Sequence, residues 1–441
     1  MSQARQYEMK DSGVEWIGRI PRHWELSKMK RILCNASIKG HPEAQVLSLY
    51  REYGVIPKDS RDDNHNVTSE DTASYKYVEI GDLVINKMKA WQGSLGLSQY
   101  EGIVSPAYYV CKFISNSISR KYLHHLIRSR AYAQEFERLS TGMRVGQWDL
   151  GIDDFLRVPL LCPPLPEQAA IAAYLDDKCA AIDGVIAEAK SSIDDYKAWK
   201  ASIISEVVTK GLDTNAVMKD SGADWVGVIP RGWTVERLKA LFAFGKGLPI
   251  TKEDLVECGI PVISYGQIHA KCNTGVEVLP ELLRYVDAKW LDSNAGSLVG
   301  EGDFIFADTS EDMDGCGNCV YIDSLDEGAR LFAGYHTITF RPKKTKRNKY
   351  LAYLFKSDAW RTQLRSRVSG VKLFSISRRM LNSATVILPP AEEQAAIVSY
   401  LDDKCAVIDS IIAEKEALIA ELETYKKSLI FETVTGKRRV C

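Results

Sequence analysis

The residues best suited to chemistry are few and scattered. Ten cysteines and seven histidines supply thiols and imidazoles, the usual metal ligands and nucleophiles. Only Cys316 and Cys319 form a Cys-x-x-Cys pair, and the histidines do not cluster. A structural zinc site normally takes four ligands, so a reduced loop pair is expected here, and no metal. Glu188-Ala-Lys190 resembles a nuclease triplet but has no accompanying carboxylates. The chain contains no Gly-x4-Gly-Lys-Ser/Thr loop, no glycine-rich cofactor loop and no Asn-Pro-Pro-Tyr-like methyl-transfer motif. No catalytic residue is therefore assigned, and no cofactor is expected in this chain.

What remains is charge. The net charge of −1 argues weakly against a polyanionic partner, but it averages opposed segments. From Arg341 to Arg379 there are thirteen Lys/Arg and one acid, Asp358, whereas Glu301 to Gly328 holds nine acids and no Lys or Arg. A basic band of that density is the footprint a phosphate backbone attracts. The alternative is a solvated helix face.

The elements that must carry these groups are written twice. MKDSGVEWIGRIPRHWELSKMK from Met9 returns as MKDSGADWVGVIPRGWTVERLK from Met218, with twelve of twenty-two positions identical. PPLPEQAAIAAYLDDKCAAIDGVIAE from Pro163 returns as PPAEEQAAIVSYLDDKCAVIDSIIAE from Pro389, with nineteen of twenty-six identical. Between these blocks the halves share only a skeleton: a Gly-Asp before an apolar run (Gly81-Asp82, Gly302-Asp303), Lys-Tyr-Leu at Lys121 and Lys349, and Gly142 or Gly370 after a Ser or Thr. Matching frames around unlike bodies suggest two readers of different targets on a common mount. Duplication followed by drift would not spare the helices so selectively.

Each Pro-Pro pair stops a strand and precedes helix-start residues, Pro166 and Glu167 or Glu392 and Glu393. Apolar positions then step by four and three, from Ala172, Leu175 and Cys179 to Val207, and from Val398, Leu401 and Cys405 to Thr433. Such a period over about 44 residues predicts a coiled-coil seam. The two helices are expected to pair antiparallel, with the bodies at opposite ends. The bodies read as mixed strands and helices. The expected fold is thus α/β (mixed α+β), with an internal pseudo-two-fold repeat. The first body spans 1–160 with its constant arm at 9–30, and a central helix follows at 161–212. The second body spans 213–388 with its arm at 218–239, and the last helix covers 389–441.

This order resembles the specificity subunits of type I restriction–modification enzymes. The resemblance rests on Trp16-Ile-Gly-Arg-Ile-Pro with Trp24, on Trp225-Val-Gly-Val-Ile-Pro with Trp233, on the two Pro-Pro-x-x-Glu-Gln helices, and on KMKAWQGSLGLSQYEGIVSPAY in the first body. It implies a non-catalytic subunit whose two target-recognition domains each read half of a split site in double-stranded DNA. It further implies that the helices set the spacer and bind two modification subunits that methylate adenine. Restriction subunits join in the full complex, with S-adenosylmethionine, ATP and Mg on the partners. A cytoplasmic location is expected, since no apolar run approaches the roughly 20 residues that span a bilayer and the start has no signal-peptide core. The alternative reading is a coiled-coil scaffold joining two protein-binding modules.

Arg or Lys suits guanine and Asn or Gln suits adenine, with phosphate contacts from loops. The DNA-binding candidates in the first body are Lys87, Lys89, Gln92, Ser140, Thr141, Arg144 and Gln147. Those in the second are Lys343, Lys344, Lys346, Arg347, Ser369, Lys372, Arg378 and Arg379. Trp91 is assigned to packing. Asp176, Asp177, Lys178 and Asp183, with Asp402, Asp403, Lys404 and Asp409, lie off the seam. They are either solubilising surface or the faces that dock a partner twice.

Overall fold

The computed structural model describes residues 7–51, 54–60, 72–144, 147–344, 348–368 and 373–440, with backbone alone at 143, 144 and 147. The chain forms two compact units, Met1–Lys190 with Glu416–Cys441, and Ser191–Lys415. The long helices Leu165–Lys210 and Ala391–Val434 each contribute to both units. No helix among the described residues is long and apolar enough to cross a membrane.

Each body is built on a four-stranded antiparallel sheet of the same order. In the first, Leu33–Ala36, Tyr108–Phe113, Leu83–Asn86 and Leu95–Leu97 lie side by side. In the second, the order is Phe242–Phe244, Thr337–Pro342, Phe304–Ala307 and Cys319–Tyr321. The shared Gly-Asp starts a central strand for a local reason. Gly81 and Gly302 take φ of 90° and 86°, a conformation that favours glycine. The buried carboxylates that follow accept backbone N–H bonds, Asp82 from Glu79 at 2.9 Å and Asp303 from Gly300 at 3.0 Å. Burial nonetheless pushes both carboxyls above their ordinary range.

The run from Ile103 to Phe113 is divided between two strands, Gly102–Val104 and Tyr108–Phe113. Pro106 in the intervening turn has no N–H for a ladder. Two helices follow in each body, Arg120–Arg128 then Arg130–Leu139, and Lys349–Lys356 then Asp358–Arg365. Ser129 and Ser357 sit at the breaks in extended conformation, and the Ser357 hydroxyl accepts from Trp360 N at 3.3 Å as an N-cap.

The seam forms where its period places it. In the first unit Ala172, Leu175, Cys179, Ile186, Ala189 and Leu429 are buried; in the second, Ile193, Lys200, Val207, Leu401, Cys405 and Ile408 are. Pairing is antiparallel within each unit. The Tyr122 hydroxyl donates to the carbonyls of Leu161 and Val434, at 3.3 and 3.4 Å, so the start of one helix lies beside the end of the other. Tyr350, its counterpart, donates to the Val208 carbonyl at 2.9 Å.

The constant arms are the mount for these helix ends. Met9–Asp11 pairs with Arg19–Pro21 in the register that Met218–Asp220 repeats with Val228–Pro230. Trp24 and Trp233 are fully buried. Gly436 (φ 70°) packs against Pro21 and Trp24, and Gly211 (φ 80°) against Trp233 and Glu393. Each is the left-handed residue that ends a long helix.

Candidate nucleic-acid interface

In the first body, the strand Leu83–Asn86 delivers Lys87 to the hairpin of Thr141–Arg144 and Gln147–Asp149. Leu150 N donates to the Lys87 carbonyl at 3.0 Å, and the Lys87 ammonium meets Asp149 at 2.9 Å. That bond raises the Lys87 pKa. Trp91 donates to the Met88 carbonyl and leans on Trp148 at 5.3 Å, so it packs the loop. Lys89 is exposed and Gln92 half-buried. Ser140 donates to the Phe136 carbonyl at 2.6 Å, closing a helix, and Thr141 is exposed at the hairpin's start. The side chains of Arg144 and Gln147 lie outside the described residues.

The second body repeats the frame with different side chains. Asp308 holds the place of Lys87 one residue after the central strand, and Ile376 N donates to its carbonyl at 2.8 Å. A cleft of about 520 Å³ opens there, lined by Lys246, Asp308, Tyr335, His336, Arg378 and neighbouring glycines. Of the candidates, this cleft receives Arg378; Arg379 is exposed beside it in sequence. Lys343 donates to the Lys239 carbonyl at 2.7 Å. Lys344 lines a separate cavity of about 490 Å³ near the start of the helix Ala391–Val434. Lys346, Arg347, Ser369 and Lys372 lie outside the described residues.

The basic band is therefore not one face. Arg361 is bonded to the Phe355 carbonyl, Arg365 to Asp358 and the Asp314 carbonyl, and Arg367 to Ser383. Burial lowers Lys356 to about 8. Sequence reasoning missed Lys246, Asp308, Tyr335 and His336, because distant loops bring them together. The Cys-x-x-Cys pair, expected in a loop, is buried within this body with Cys319 opening the sheet strand Cys319–Tyr321, and burial pushes the Cys319 thiol to about 11.

On the long helices, half of the partner-binding candidates hold groups of their own unit. Asp176 binds Lys121 at 3.2 Å and His125 at 2.8 Å; Asp402 binds Lys349 at 3.1 Å and the Tyr353 hydroxyl at 2.5 Å. Burial works against the Asp176 carboxylate, but these bonds outweigh it and hold its carboxyl below the ordinary value. Asp183 pairs across the seam with Lys426 at 2.6 Å, and Asp409 with Lys200 at 2.7 Å. These four carboxylates latch body to helix and helix to helix. Asp177, Lys178, Asp403 and Lys404 remain exposed.

The family model of the type I restriction modification DNA specificity domain matches residues 230–424. The chain is 23% identical over 403 residues to the type I restriction enzyme MjaVIII specificity subunit of Methanocaldococcus jannaschii, covering 89% of this chain and 88% of that protein. It is 24% identical over 296 residues to the EcoKI specificity subunit of Escherichia coli, covering 66% and 59%. Its fold matches a solved chain from a study of complex assembly and conformational transition of the type I R-M system. That match has a TM-score of 0.68 at 16% identity, over 95% of this chain and 99% of that one.

Proposed function

We propose, from the likeness of this chain to type I restriction–modification specificity subunits, a DNA reader in which each body recognises one half of a bipartite, asymmetric target. The observation that carries this is a frame whose principal bonds recur around side chains that do not. The sheet order, the arm register, the Tyr122 and Tyr350 bonds and the Asp176 and Asp402 latches all recur. At the same place in the frame, one body presents Lys87 with Asp149 and the other Asp308 with His336. Opposite charges in equivalent positions favour different base edges.

The helices dock two modification subunits and set the number of unread base pairs. Asp177 with Lys178, and Asp403 with Lys404, offer the same outward charge pattern twice. S-adenosylmethionine, ATP and Mg act on the partner subunits, so methylation and cleavage are activities of the assembly. Methylation-aware sequencing of DNA from cells expressing this chain with its modification subunit tests the reading. Two unlike half-sites with a fixed spacer are expected; a continuous or palindromic site refutes it.

A further inference from the structure

Among the described residues, one non-glycine residue has a left-handed backbone: His336, at φ 55°. Such a conformation is uncommon for a residue with a side chain, and it persists where the surroundings over-determine it. Here they do. The His336 carbonyl accepts from Asp308 N at 3.1 Å and the Tyr335 carbonyl from Tyr265 N at 3.3 Å. Gly334 N donates to the Ile263 carbonyl at 2.7 Å, and its own carbonyl accepts the Thr337 hydroxyl at 2.6 Å. Gly247 lies so close behind the turn that an added Cβ would collide with the Gly334 carbonyl.

The turn is also specific to this body. In the matching ladder register the first body places Ala107, which has neither an imidazole nor a positive φ. The His336 side chain is 57% exposed and stands edge-on to Tyr265, with ring centroids 5.3 Å apart. Its Nδ1 lies 3.5 Å from the Asp308 carboxylate, at a cleft also lined by Lys246 and Arg378. With Nδ1 on the side of that carboxylate, Nε2 lies on the far side of the ring, where a neutral imidazole carrying its proton on Nδ1 offers an acceptor.

We propose that His336 reads a base edge in the second half-site, accepting the exocyclic amino group of cytosine or adenine in the major groove. This rests on the DNA-reading function above and assigns a residue to it. The cations around the cleft hold phosphates, which position the duplex without reading it.

The test uses the full chain with its modification subunit. Once the wild-type target is known, methylation is measured on a duplex pool randomised across the second half-site, with the first half fixed. His336→Gly removes the imidazole and suits the left-handed turn, so the fold is kept; His336→Asn keeps a shorter polar group that also tolerates φ above zero. Discrimination should fall by roughly tenfold to a hundredfold at one position, or two adjacent ones, for His336→Gly. His336→Asn should shift the preference there, and the first half-site should be read as before. An unchanged base preference in both variants overturns the proposal. So does a uniform loss of methylation at every sequence, which would mark a structural residue. A wild-type complex with no bipartite target would instead defeat the DNA-reading function itself.

Discussion

The two bodies differ at one pair of positions that should make only the first sensitive to mild acid. His124 and His125 sit on the helix Arg120–Arg128; the matching positions on Lys349–Lys356 are Ala352 and Tyr353. Burial lowers His124 from 6.5 to about 4, reinforced by Arg128 and His125, and its Nδ1 is buried with no hydrogen-bond partner among the described residues. Burial also lowers His125, although its bond to Asp176 pulls the other way. Unfolded chain therefore takes up protons before the folded body does. The stabilisation is complete above pH about 6.5 and is lost as pH falls from there towards 4. For His124 alone the shift is worth about 3 kcal/mol, of which about 2 kcal/mol disappears between pH 7 and pH 5. The Asp176 carboxyl, held low, adds loss only below about pH 4. Hydrogen exchange of the full chain, corrected for intrinsic rates, should show Arg120–Arg128 losing protection by at least tenfold over that range. Lys349–Lys356 should change little, and His124→Leu should remove most of the effect. Equal acid sensitivity in both helices, or an undiminished effect in His124→Leu, would refute the reasoning.

Three further outcomes are expected. Gly436→Ala should destabilise the first unit by roughly 1–3 kcal/mol in urea denaturation, since the Cβ meets Pro21 and Trp24 at a φ of 70°. Replacing Arg378 and Arg379 with Gln should flatten log affinity against log salt by up to roughly 0.9 per lost phosphate contact, whereas Lys343→Gln, whose ammonium is held by the Lys239 carbonyl, should leave the slope nearly unchanged. Mass measurement of the saturated complex should find two modification subunits per chain, and reversing charge at both Asp403 and Lys404 should reduce the count to one.

What recurs along the chain, by period or by identity, was legible before any contact was known. The 3.5-residue seam announced the long helices, and the presence of two such helices in one chain with a two-fold repeat announced their antiparallel pairing. Trp24 and Trp233 announced the duplicated arms, and Gly-Asp the start of each central strand, since both are local chemistry. Tertiary structure alone decided which charges are available. Asp183 and Asp409 look like free surface acids, yet each closes on a lysine that sits in the opposite helix's seam, a pairing with no local signal. Thirteen basic residues read as one band, but folding turns Arg361, Arg365 and Arg367 onto partners in their own body. His336 was invisible for the same reason. The backbone of its turn is set by bonds with Asp308, Tyr265 and Ile263, which are far from it in the chain and meet it only in the folded body. Periodicity is a property of the chain; a cleft is a property of residues that meet only after the chain has folded.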